Sequence, residues 1–270
     1  MEQAITVWVD ESTEIRVGDQ DFNLIGYLIT NSDKEEFVFL NKLKQARKVD
    51  PTCWKTLHGS EIAEGDTREL ALLDRWIGAF LRSEGVYFHT FLYRKNEDYI
   101  RRGETYEHYF AKQSMFALAQ KMKDEGYTIN TMFKNVSTLT VLFERRRAHM
   151  AFLTANNDGV EVVERLNELE QVYREQICRQ ILRISGKDAA TTSFTVRFSF
   201  LSAECFDGMQ LADCLLYLVR KKVEQESTGT ENAFTRLFDK HFLSDPRTEG
   251  LSLGEAYGYN KKFNFFRSHA

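Results

Sequence analysis

The sequence predicts an α/β fold, a mixed sheet with antiparallel early strands and parallel later strands, flanked by helices. Three observations carry this. Strand-like apolar runs and helical stripes alternate through most of the 270 residues. The first two strand-like runs are close enough to pair as a hairpin. Only 2 prolines, Pro51 and Pro246, interrupt the chain, which leaves room for long regular elements. Three early strands followed by helix, strand, helix, strand and helix describe a sheet with an antiparallel edge and a parallel part.

Taken in order, Ile5 to Val9 is a short β-branched run that reads as a buried strand. It is predicted to end at Asp10, with the polar triplet Asp10, Glu11 and Ser12 closing it in a turn. A second strand is expected over Phe22 to Thr30, and a helix over Lys34 to Val49. Leu70, Leu73, Ile77 and Leu81 recur at helical spacing, with Gly85 marking the end of that helix. Val86 to Tyr93 reads as a third strand, and Tyr106, Tyr109, Phe110, Phe116 and Ala117 as a helical stripe. Leu139 to Phe143 is a fourth strand running into Glu144. Val162 to Ile181 gives a long amphipathic helix closed by Gly186. Phe194, Val196, Phe198 and Phe200 alternate with polar residues, the clearest strand pattern in the chain. A strong helix follows from Gly208 to Val223, then a short one over Phe234 to Phe242, and Gly250 to Gly258 reads as a loop. The whole of 1–270 reads as one domain with helical insertions and a C-terminal extension.

Composition narrows the function classes. With 43% hydrophobic and 28% charged residues the chain is globular rather than disordered or fibrous. No stretch approaches the roughly 20 apolar residues that span a bilayer, and the N-terminus lacks the pattern of a secretory signal, so no membrane partner is expected. Cys53, Cys178, Cys205 and Cys214 form no CxxC and have no His at zinc-ligand spacing, so they read as reduced thiols of a cytoplasmic protein. A net charge of -4 excludes a generic polybasic nucleic-acid binder but leaves local basic surfaces such as Arg145 to Arg147.

Four acids stand where such a fold would gather them: Asp10, Glu61 in LHGSEI, Glu144 in TVLFERR, and Asp213 in MQLADCLLYLV. Asp213 is the most informative, because its helix is the most apolar in the chain and an uncompensated buried carboxylate is costly. Each has an ordinary alternative: a turn for Asp10, an ion pair with the arginine run for Glu144, a partnered helix face for Asp213. Asp207 reads as the N-cap of the helix that carries Asp213, and Glu11 and Glu204 as surface acids. Together the four acids supply hard oxygen ligands suited to magnesium or manganese, and such ions activate phosphodiester hydrolysis.

VWVDES, LHGSEI and QLADCLLYLV, spread from Val7 to Val219, resemble the signature segments of the family catalogued as domain of unknown function 3800. In that family an early strand ends in Asp-Glu-Ser, a His-containing segment carries a Glu, and a late helix carries Gln-x-x-Asp. The resemblance implies a ribonuclease H-like fold and a Mg2+- or Mn2+-dependent nuclease acting on RNA, DNA or a hybrid, in a prokaryotic defence or mobile-element setting. Asp10, Glu61 and Asp213 carry over onto the family's motifs. Glu144 stands where related sites more often have Asp, and Thr13 replaces the Gly that usually follows the Ser. His58 would position substrate or shuttle a proton beside Glu61, the plainer alternative being a hydrogen bond to a backbone carbonyl. Lys55, Arg145 and Gln210 are the candidate substrate contacts, the two basic residues through phosphates. A second reading keeps the fold as a catalytically silent interaction module, with the apolar stripe of residues 162–184 serving a homo-oligomer or protein partner. A third is an enzyme on a smaller phosphorylated substrate.

Overall fold

The computed structural model describes residues 3–49, 56–94, 112, 136–144, 167–179, 195–202, 204, 206–244 and 262–267. They fall into two compact units, Met1–Val7 with Asn96–Ser202, and Trp8–Lys95 with Ala203–Ala270. Strand β1 (Gln3–Val17) belongs to both. The predicted helical stripe around Tyr106 to Ala117, the loop from Gly250 to Gly258, and the ends of the helix read over Val162 to Ile181 lie outside the described residues.

In the second unit the hydrogen-bonded order is β1-β2-β3-β6, with β2 at Gln20–Thr30, β3 at Val86–Arg94 and β6 at Phe263–Arg267. β1 and β2 are joined through Gly18, whose φ of 61° is open to glycine at little cost. β2 pairs antiparallel with β3, and β6 pairs parallel with β3. The sheet is thus mixed, and its helices are α1 (Asp33–Lys48), α2 (Thr67–Leu81), α4 (Asp207–Thr228) and α5 (Ala233–Phe242). This is the α/β class that the order of elements predicts.

Each helix forms for local reasons as well as for its buried face. Ser32 caps α1 by accepting from Glu35 N, and Asp66 caps α2 by accepting from the amides of Arg68 and Glu69. Asn232 and Thr235 close a reciprocal capping box on α5. α4 ends at Gly229, in the left-handed conformation at φ 71°. Trp8, Phe39, Leu43, Trp76, Phe80 and Phe88 are fully buried among these elements. Burial of each such side chain contributes roughly 1.5–3 kcal/mol. The rings of Phe238, Phe242 and Phe88 close around Phe263 of β6. Lys262, just before that strand, donates to the carbonyls of Ser83 and Val86.

Three expectations are corrected here. β1 does not stop at Asp10 but continues to Val17, so Asp10 lies within a strand. Glu11 is buried rather than a surface acid. Asp207 is not the N-cap of α4, which is Phe206 and makes no side-chain cap bond. Asp207 instead pairs with Arg47 at 3.0 Å. β6 adds a strand in a segment for which the sequence offers aromatic content and no periodicity.

The first unit has the order β5-β4-β1, with β4 (Val136–Glu144) and β5 (Thr195–Leu201) parallel. Residues 167–179 are helical and are called α3. Phe143, Tyr173, Phe198 and Phe200 pack into one aromatic cluster, every pair having ring centroids 4.9–6.2 Å apart. The even spacing of Phe198 and Phe200 puts both on one face of β5, where Phe143 of β4 and Tyr173 of α3 meet them.

Asp74 joins α2 to α5 through Lys240 Nζ at 2.7 Å and His241 Nε2 at 2.6 Å. Burial, the largest single influence, pushes the Asp74 carboxyl up. The hydrogen bonds and charges of Lys240 and His241 outweigh it and hold the group below its ordinary value. A carboxyl depressed by folding contributes stability above its unfolded value, near pH ~4, and loses it as pH falls through the folded value. Asp74→Asn is therefore expected to lower stability at neutral pH by at most about 1 kcal/mol, discounted for the exposure of the pair. Once pH has fallen below both the folded and the unfolded values the difference is expected to vanish. Urea midpoints measured at the two pH values check this.

Among the described residues, no helix is long and apolar enough to cross a membrane.

Candidate functional site

One stripe of α4 organises the site. Gln210, Asp213, Tyr217 and Arg220 are spaced three and four apart, so they line a single helix face. Each meets a segment singled out in the sequence. Gln210 Oε1 accepts from Leu57 N at 3.0 Å. Asp213 Oδ2 accepts from Gly59 N at 3.0 Å and lies 3.3 Å from His58 Nδ1. Tyr217 packs against Gly59 so closely that a Cβ there would fall inside contact distance of the tyrosine Cβ and Cγ. Glycine at this position is what lets the HGSE segment lie on the helix. Arg220 Nη1 donates to Ser12 Oγ at 3.1 Å, anchoring the far end of the DES motif, and its Nε holds Glu224 at 2.8 Å. Burial pushes the Glu224 carboxyl up, but hydrogen bonds from Arg220 and Lys221 outweigh it and hold it below its ordinary value.

On β1, Trp8 packs against Gly208 of α4 and Phe39 of α1. Strand alternation puts Asp10 and Ser12 on that same face and Glu11 on the opposite one. Asp10 and Asp213 consequently meet, and each offers a carboxylate oxygen within 4.8 Å of the other's. Asp10 is only 5% exposed, and the Asp213 side chain 17%. Two carboxylates this close and this buried repel unless a cation or a proton is shared between them. The donors are all hard oxygens, the set that suits magnesium or manganese. Their chemistry therefore fits a hard divalent cation.

The other candidates fall out as follows. Glu61 ends a single 3-10 turn, Gly59–Glu61, in which Glu61 N bonds back to His58 O at 2.9 Å. That turn carries His58 towards α4 and leaves the Glu61 side chain exposed. Among the described residues Glu61 joins no group of three or more such ligands. Glu144 is the last residue of β4, half-buried, in the first unit. Gln210 is buried, with its carboxamide oxygen engaged by Arg47 and by Leu57 N. Lys55 and Arg145 lie outside the described residues. Sequence reading missed Arg47 and Ser12. Arg47 lies among Lys42, Lys44 and Lys48, a run with the charge pattern of a solvated helix face, and Ser12 looked like part of a turn.

No family model matches the chain, and no curated protein matches it. Among solved structures, the ribonuclease H2 from Pyrococcus horikoshii OT3 aligns with 90% of this chain and 83% of its own, at 11% identity and a TM-score of 0.41.

Proposed function

We propose that this chain is a ribonuclease H-like, metal-dependent nuclease of the family catalogued as domain of unknown function 3800. The observation that carries the reading is the approach of the buried Asp10 carboxylate to Asp213 within 4.8 Å. Asp10 and Asp213 would hold the cation. Glu61, exposed on its turn, is left out of that pair. A bound magnesium or manganese ion would supply Lewis-acid activation of a phosphodiester and of the attacking water.

The remaining chemistry belongs to the chain. Gly59 N–H and His58 Nδ1 both address Asp213 Oδ2, which fixes the orientation of that carboxylate. In the tautomer that donates from Nδ1, Nε2 is the nitrogen able to take up a proton from water or return one to a leaving oxygen. Lys55 and Arg145 would contact phosphates, positioning the strand without reading its sequence. Strand directions within each unit support the same reading, β2 and β3 being antiparallel in one and β4 and β5 parallel in the other.

The test is cleavage of single-stranded and duplex RNA, DNA and hybrid with magnesium, with manganese and with chelator. Cleavage that requires metal would uphold the proposal and identify the substrate class. Absence of cleavage on every substrate, together with no thermal shift on adding either metal, would sink it in favour of a silent interaction module.

A further inference from the structure

Behind Asp213 lies a buried hydrogen-bond relay that the proposed chemistry does not itself use. Arg47 of α1 is 8% exposed, and its Nη2 is shared between Gln210 Oε1 at 2.8 Å and Asp207 Oδ1 at 3.0 Å. The guanidinium lies over the Trp76 ring of α2, 4.7 Å from its centroid, and the Trp76 indole N–H donates to Leu43 O at 3.1 Å. Arg47 is therefore held by α1, α2 and α4 together. It in turn holds Gln210, whose same oxygen takes the Leu57 amide.

The spacing explains the pairing. His58 has extended backbone angles, φ -118° and ψ 125°, so the amides of Leu57 and Gly59 lie along one edge of the segment. Two residues of extended chain advance roughly 6.6 Å. Side chains at i and i+3 of a helix stand about 5–6 Å apart at Cβ. Gln210 and Asp213 thus act as two grips on alternate amides, and the segment between them carries His58. Among the described residues the bonds to Asp213 engage Oδ2 alone, which leaves Oδ1 for a cation.

We infer that Arg47 and Gln210 are positioning residues for the cation site, clamping residues 57–59 in the register that orients the Asp213 carboxylate. This rests on the metal-site reading of Asp10 and Asp213. It assigns Gln210 to the scaffold of the site rather than to substrate.

The experiment is calorimetric titration of manganese into the full chain, with unfolding followed in parallel. Wild type is compared with Gln210→Met, which fills the space without an acceptor, and Gln210→Glu, which keeps one. Gln210→Met is expected to weaken manganese binding by about 10–100-fold, the usual cost of losing a partner that orients a ligand. Gln210→Glu is expected to restore it to within about 3-fold of wild type, a recovery that mere space-filling would not give. Should Gln210→Met fail to fold, Arg47→Met removes the same relay one step further back and is expected to weaken binding in the same direction. Unchanged affinity in a folded Gln210→Met or Arg47→Met protein would overturn the inference while leaving the metal site standing. Absence of manganese binding in wild type would bring down the metal-site reading, and this inference with it.

Discussion

Asp213→Asn is expected to abolish metal-dependent cleavage while making the metal-free protein more stable. The two effects have one source. Carboxylates within 4.8 Å of each other repel by about 3 kcal/mol at an effective dielectric of about 20. Replacing one with a neutral amide removes that repulsion and keeps an oxygen for Gly59 N–H, while weakening the contact with His58. A net gain of about 1 kcal/mol would raise the melting temperature without metal by about 2–4 °C. With manganese the order reverses, since wild type gains stability from binding and the variant does not. Losing a group that merely orients a ligand typically costs about 10–100-fold, so losing the ligand itself is expected to lower kcat/KM by more than about 100-fold. A variant that melts lower than wild type without metal and still responds to manganese would contradict the assignment.

Phe143→Ala is expected to be the most damaging single truncation in the first unit. Phe143 is fully buried and packs against three other rings, so its removal leaves a cavity that β4, β5 and α3 together must close. Buried Phe→Ala changes cost about 3–5 kcal/mol, and Phe143→Leu, which keeps most of the volume, should cost less than about 1.5 kcal/mol. Urea unfolding followed by circular dichroism would report both, with m unchanged if only packing is lost. Because Glu144 follows Phe143 on the same strand, the truncation also loosens the backbone that presents this carboxylate. A shift below about 1 kcal/mol for Phe143→Ala would mean that the aromatic cluster is not a packed core.

Much of the fold was legible in the sequence because period reports burial. β5 alternates strictly, α2 and α4 repeat every three to four residues, and the structure follows both patterns. What misled were polar residues whose partners lie far away in sequence. Asp10, Glu11 and Ser12 look like a turn because local pattern cannot reveal Arg220 waiting for Ser12 across the helix. Asp207 looks like a cap because Arg47, 160 residues away, cannot be seen from the helix start. β6 is a strand by virtue of β3 and the ring cluster it completes rather than by any rhythm of its own. The site was legible to a similar depth. Asp10 and Asp213 meet as their motifs suggested. His58 and Glu61 sit at the two ends of a single tight turn, with His58 against Asp213 and Glu61 exposed, which spacing alone could not foretell.

The second unit is assembled from two stretches of chain, Trp8–Lys95 and Ala203–Ala270. During synthesis, at about 5–20 residues per second, the early strands emerge roughly 10 s before α4 can cover them. For that interval Trp8, though met by Phe39 of α1, lacks α4 against it, and Asp10 has no Asp213 beside it. A nascent chain of this design is at its stickiest and least competent at the same moment. Its exposure to misassociation should end, and its two acids meet, with the arrival of one helix.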